Sequence, residues 1–303
     1  MKRREFCALA GAAAVSRAAS VEKVAIVVGG KPFTSFYCGK EWDKPFLHPL
    51  LTASGRVISR GWPVEPREGE TNDHAWHRGI WFGHGDVNKH DFWREQGRQK
   101  TSCLFVKGAP SLTRPAGMPS LSAELTMSIP AERSIGSVRE DFTFWEDCSN
   151  RFIDARISVH ADAGEALRFG DTDDGGFGFR LADDFREDRG AILRNSDGLQ
   201  GTDKIWGKPA RWVDYSARLD GNLVGVAVFD HPANLRHPTT WHARGYSLCA
   251  ANPFGLGSFT RDKSKDGSHM VPAGGKLEFR YRVAIYEGPA DIEALFGDFA
   301  SGR

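Results

Sequence analysis

Four of the ten histidines, His74, His77, His84 and His90, fall within seventeen residues, and three more, His231, His237 and His242, fall within twelve. Even spacing would place about one histidine in those twenty-nine positions, so the clustering has a cause. The first cluster runs from Thr71 to Trp93 and interleaves imidazoles with Asp73, Asp86, Arg78, Asn88 and the indoles of Trp76, Trp81 and Trp93. The second runs from Asp230 to Arg244, carries Asn234, Arg236 and Trp241, and is interrupted by Pro232 and Pro238. Tryptophan faces stack on the apolar faces of sugar rings, while Arg, Asn, Asp and His bond hydroxyls. A histidine moves protons near neutral pH, and a partnered carboxylate sets its tautomer. His74, His77 and His242 are therefore the expected acid and base, with Asp73 and Asp86 as catalytic carboxylates and Asp173 and Glu70 as further candidates. Arg78, Arg236 and Arg244 suit a carboxylate or an oxyanion. Trp81, His84, Asn88, Trp93, Asn234, His237 and Trp241 complete the expected substrate-binding set.

The same residues allow two other readings. His74 and His77 are two residues apart, and His84 and Asp86 share one face of an extended segment, so His74, His77, His84 and His237 could ligate Zn, Fe or Mn. No other cofactor is implied, and no HExxH helix fixes such a set. A non-catalytic sugar-binding module would use the same Trp and Arg with no titrating pair. Single histidines can also be satisfied structural groups at strand ends.

The elements that must position these residues read as strands. Lys276–Ile285 alternates polar and apolar residues with period two, as does Arg151–His160, and Phe177, Phe179 and Leu181 continue the pattern. Shorter candidates are Val24–Val28, Phe33–Cys38, Arg56–Ser59, Cys103–Lys107, Leu121–Ile129, Val138–Trp145, Leu223–Phe229 and Tyr246–Ala251. Turn signals separate them at Gly29-Gly30, Gly175-Gly176, Asp220-Gly221-Asn222 and Gly274-Gly275. Only Asp291–Phe299 has helical spacing, with Ile292, Leu295, Phe296 and Phe299 on one face. At least a dozen strands without βαβ alternation predict an all-β fold, one large antiparallel sandwich with a short C-terminal helix. Both histidine clusters are expected on loops at one end of that sandwich, with His74, His77 and His242 lining one cleft beside Trp81 or Trp241.

Composition bounds the partners. Forty Lys+Arg against 39 Asp+Glu leave a net charge of +1, which gives no electrostatic reason to expect nucleic acid or an anionic membrane. Lys2, Arg3 and Arg4 followed by an Ala-rich run resemble a twin-arginine export signal, so residues 1–20 are expected to be a signal segment and 21–303 one domain, periplasmic or otherwise exported. No later run of eighteen apolar residues could span a bilayer. Cys38, Cys103, Cys148 and Cys249 lack CxxC spacing and read as mostly buried thiols. Asp171–Gly176 resembles part of a Ca-binding loop without its closing Glu and reads as a tight acidic turn. The absence of a P-loop, GxGxxG or GxSxG leaves nucleotide and serine-hydrolase chemistry without support.

Lys44-Pro45-Phe46-Leu47-His48-Pro49-Leu50, the stretch from Asp73 to Trp93, Asp230–His242 and Ala251-Asn252-Pro253-Phe254-Gly255 resemble the PmoA-like family of uncharacterised bacterial proteins. The resemblance runs from about Phe33 to Tyr286 and implies a large sandwich similar to galactose mutarotase and related carbohydrate-active proteins. Lys89 and His90 depart from the family pattern, so His90 is not assigned to the shared site. Together these readings predict an exported carbohydrate-active enzyme that hydrolyses, eliminates or epimerises near an anomeric carbon of a small-molecule carbohydrate.

Overall fold

The computed structural model describes residues 22–95, 102–147 and 150–302; the expected export segment and Cys148 lie outside the described residues. In chain order the strands are β1 (Lys23–Val28), β2 (Lys31–Tyr37), β3 (Phe46–Leu47), β4 (Ile80–His84), β5 (Cys103–Val106), β6 (Ser111–Thr113), β7 (Ser120–Ile129), β8 (Arg133–Asp147) and β9 (Asn150–His160). They continue with β10 (Leu167–Phe169), β11 (Gly175–Arg180), β12 (Ile192–Asn195), β13 (Trp212–Leu219), β14 (Asn222–Asp230), β15 (Leu248–Ala251), β16 (His269–Val271) and β17 (Lys276–Glu287). Three short helices interrupt them: α1 (Thr202–Ile205), α2 (Leu256–Thr260) and α3 (Ile292–Ala300). Every pairing between these strands is antiparallel.

Two sheets form the sandwich. One has six strands in the order β1-β2-β3-β4-β11-β15, and the other has nine, running β12-β13-β14-β17-β9-β8-β7-β5 with β6 also on β7. Their inner faces meet through aromatic pairs: Phe36 lies 6.2 Å from Phe142, Phe177 4.8 Å from Tyr281 and Phe179 5.8 Å from Tyr215. Period-two alternation sends Val224, Val226 and Val228 of β14 into this core, while Ala227 and Phe229 turn outward beneath Phe296 and Phe299 of α3. The sandwich and the C-terminal helix are thus as the alternating pattern predicts. Among the described residues no helix is long and apolar enough to cross a membrane. Cys103 and Cys249 are buried and Cys38 is half-buried.

Two local expectations are corrected. Arg56–Ser59 is not a strand; it makes only isolated bridges, Leu51 to Val57 and Ser59 to Leu181. Residues 80–84, expected within a loop, form the central strand β4, paired with β11 from Ile80 to His84. All five of its residues are buried. Its inner face packs on the core and its outer face is covered by loops, so no polar alternation marks it as a strand.

Candidate functional site

The outer face of the six-stranded sheet carries the site. Ile80, Phe82 and His84 of β4 point toward the core and its aromatic side chains, whereas Trp81 points outward. Gly178 of β11 pairs with both Trp81 and Ala250, and Ala250 exchanges backbone hydrogen bonds with His242. Trp81, Gly178, Ala250 and His242 therefore form one row across three strands and the segment that pairs with β15, about 14 Å long at ~4.8 Å per step. Glycine is required within that row. A Cβ on residue 178 would stand 2.9 Å from Trp81 Cζ2 and 3.0 Å from Trp93 Cη2, so both indoles rest directly on the β11 backbone.

Above the row the aromatic rings form a ladder. Tyr246 stacks on His74 (5.9 Å, 7°), His74 on His77 (5.1 Å, 4°) and His77 on Trp81 (5.3 Å, 12°). Trp93 meets the His77 ring edge-on at 5.7 Å. Positive φ at His74 (41°) turns the loop so that its ring enters the ladder. His77 is 2% exposed, and neither ring nitrogen has a hydrogen-bond partner among the described residues. Burial holds its pKa well below the usual histidine value, helped by nearby Arg180 and by His74, Lys44 and Arg60, so the ring is neutral. The open side of the ladder is formed by His74 and Asp73, whose side chains are two-fifths exposed and whose Nδ1 and Oδ1 are 3.3 Å apart.

Two charge clusters flank His77. Asp73 Oδ1 accepts from Arg60 Nη1 at 2.5 Å and from Arg180 Nη2 at 3.1 Å, while Arg60 Nη2 donates to the His77 carbonyl at 3.2 Å. Burial works against ionisation of Asp73, but Arg180 and Arg60 outweigh it and hold the carboxyl below its usual range. On the other side Glu95 accepts from Lys44 Nζ at 3.1 Å and from Arg78 Nη1 at 2.8 Å. The Arg78 guanidinium lies over Trp42 at 4.5 Å and over Phe46 at 4.7 Å. Burial pulls the Lys44 ammonium below its ordinary value and Arg180 down to about 10.

His242 sits at the far end of the row. Its Nδ1–H donates to the Asp173 carbonyl at 2.6 Å, and its Nε2 accepts from Arg244 Nε at 3.0 Å. Arginine stays protonated, so the partners dictate the neutral Nδ1–H tautomer with both ring nitrogens engaged. Tyr215 pins this loop, donating to the Leu248 carbonyl at 2.8 Å and accepting from the Arg244 amide at 3.0 Å. A cavity of about 450 Å³ opens beside Arg244, lined also by Asp173, Trp206 and Arg261.

The fold thus brings His74, His77, Asp73, Arg78, Trp81 and Trp93 together and places His242 and Arg244 along the same face. The remaining candidates go elsewhere. His84 faces inward, packed 4.9 Å from Phe254, with Nε2 bound to the Gly170 carbonyl at 2.8 Å. Asp86 accepts from the Lys89 amide in a turn, and Asn88 ties Ala166 and Arg168 with its two side-chain ends. Trp241 is fully buried on the core side and donates to the Ala210 carbonyl. Asn234 and His237 both serve Asp230, at 2.7 Å each, and Arg236 caps the carbonyls of Pro253 and Ser268. Glu70 caps the Gly61 amide. The four-histidine metal set is therefore not assembled, and no group of three or more ligating side chains occurs among the described residues. The acidic turn expected at 171–176 is used structurally: Asp171 accepts from the amides of Gly257, Ser258 and Gly267. Another cavity, of about 710 Å³, lies on the other sheet, between α3 and the Arg280–Arg282 stretch of β17, and includes His231 but none of the ladder.

Arg60, Arg180, Glu95 and Tyr246 join the site without a motif to announce them. Arg180 carried one signal, a cation at the end of the otherwise apolar segment Phe177–Arg180; Lys44 lay inside a motif already quoted.

No curated protein matches the chain. Among solved structures it is similar to a galactose mutarotase related enzyme from Lactobacillus acidophilus, at 11% identity and a TM-score of 0.40, over 87% of this chain and 97% of that one. It is also similar to the Slr1438 protein from Synechocystis sp. PCC 6803, at 13% identity and a TM-score of 0.32, over 86% of each chain. Nothing in these matches supports the PmoA-like resemblance. Residues 23–297 match the model of a family of unknown function, DUF6807, and because that span is nearly the whole chain, the protein belongs to this family.

Proposed function

We propose that the protein is an exported enzyme performing acid–base chemistry on a sugar or glycoside, at or near the anomeric carbon. The observation that carries this reading is His77: a neutral, buried imidazole with both nitrogens unpartnered among the described residues, between a Trp81 platform and a half-exposed His74–Asp73 pair. Unpartnered buried polar atoms cost stability, and a substrate that bonds them offsets that cost. In this reading a ring hydroxyl or C–H gives its proton to His77, and His74, oriented by Asp73, returns one from the open side. Trp81 and Trp93, buried against β11, hold the His77 ring in place. His242 has both nitrogens engaged, so its role is to position Arg244 and the Asp173 loop. Export rests on the basic, Ala-rich N-terminus.

The test is a panel of glycosides, oxidised glycosides and free sugars incubated with purified protein and followed by NMR, with and without chelator. Turnover should survive the chelator and fall ~10²–10⁴-fold in His77→Ala. Sugar binding without turnover, indifferent to His77→Ala, would replace the enzyme with a binding module.

A further inference from the structure

Four cations surround His77 with almost no exposure: Lys44 at 2%, Arg60 and Arg180 at 0% and Arg78 at 3% by side chain. Two carboxylates answer them, each shared between two cations: Asp73 between Arg60 and Arg180, Glu95 between Lys44 and Arg78. A third carboxylate, Asp43, is buried beside Lys44; farther out, Glu70 pairs with Arg67, and Asp183 with Thr71 and Arg189. His77 is neutral and adds no charge. Four cations against the three carboxylates Asp73, Glu95 and Asp43 leave one positive charge more than negative ones, in a place where unpaired buried charge is costly. Donors also remain open: among the described residues, Nε and Nη1 of Arg180, Nε of Arg60 and Nε of Arg78 have no partner.

We infer that the substrate of this site is an anionic sugar whose charge is a carboxylate, as in a uronic or aldonic acid. Arg180 is the principal contact, and Lys44 and Arg60 supply the surrounding field. The open donors lie on planar guanidinium groups, which match the two coplanar oxygens of a carboxylate. Binding such a group would also lower the positive potential at His77 and return its ring toward ordinary basicity, so that the anion prepares the base. This inference rests on the carbohydrate reading above and narrows it.

The experiment is calorimetric titration of the full protein with glucuronate, galacturonate, glucose, galactose and glucose 6-phosphate, at low and high salt. The uronates should bind ~10-fold or more tightly than the parent sugars, with the difference shrinking as salt rises. Arg180→Gln should collapse the uronate-to-neutral affinity ratio to near one. Because Arg180 is buried, its variant is checked for a wild-type thermal transition; the salt dependence of the wild type decides if the variant does not fold. Equal binding of uronate and neutral sugar would overturn the inference and leave the carbohydrate reading intact. Tighter binding of the sugar phosphate would overturn the carboxylate assignment. Binding of no sugar at all would overturn both.

Discussion

Glu140 offers a direct test of the sandwich core. It lies on β8 beside Ala123 of β7 and Ile157 of β9, both core residues, and is 2% exposed. It makes no ion pair among the described residues, and burial, with Asp141 adding to it, pushes its pKa from 4.5 up to about 8. The folded protein therefore holds a proton that the unfolded chain releases above pH 4.5. The stabilisation is full below that pH, falls by about 1.4 kcal/mol per pH unit, and is lost as pH passes through 8. The ionised fold carries a cost of about 5 kcal/mol, comparable with the whole stability of many domains. Glu140→Gln keeps the shape and removes the titration. Urea unfolding at pH 5 and pH 9 should find the variant's advantage over wild type growing by about 4 kcal/mol between them. Other groups, such as Lys44, titrate alike in both proteins and cancel in the difference. An advantage that is the same at both pH values, within about 1 kcal/mol, would refute the placement of this carboxyl in the core.

Three further outcomes are expected. Burial keeps His77 neutral below the ordinary histidine range, so kcat/KM should show no acid limb near pH 6.5; a histidine inflection there that disappears in His77→Gln would contradict the geometry. Gly178→Val should push Trp81 and Trp93 off β11, abolish sugar binding and cost ~1–3 kcal/mol, whereas Gly297→Ala in α3, where a Cβ meets nothing within 4 Å, should stabilise by roughly 0.5–1 kcal/mol in thermal melts. Asp230→Ala strands the Asn234 side chain, the Thr239 amide and His237, so it should cost about 2–4 kcal/mol in urea while changing sugar affinity less than about twofold.

Where alternation is local, the chain alone determined the structure. The strands at Lys276–Glu287 and Asn150–His160 and the helix at Ile292–Ala300 follow from side-chain period. The density of His, Trp and Arg from Thr71 to Trp93 likewise located most of the ladder. What tertiary structure decided is which face each residue takes. His84 and His77 are the same residue type seven positions apart, yet β4 turns one into the core while the loop before it stacks the other on Trp81. Trp81 and Trp241 were equal candidates until strand parity put one on the outer face and the other inside. Asn234, Arg236 and His237 read as ligand contacts, but their loop closes on Asp230 and on the carbonyls of Pro253 and Ser268, which consume their donors locally. Arg60, Arg180 and Glu95 became site residues only because loops distant in sequence bring them against His74 and His77. Periodicity reports the faces of a strand; which face closes over a cavity depends on which strands pair with it, and that pairing is a long-range contact no local pattern records.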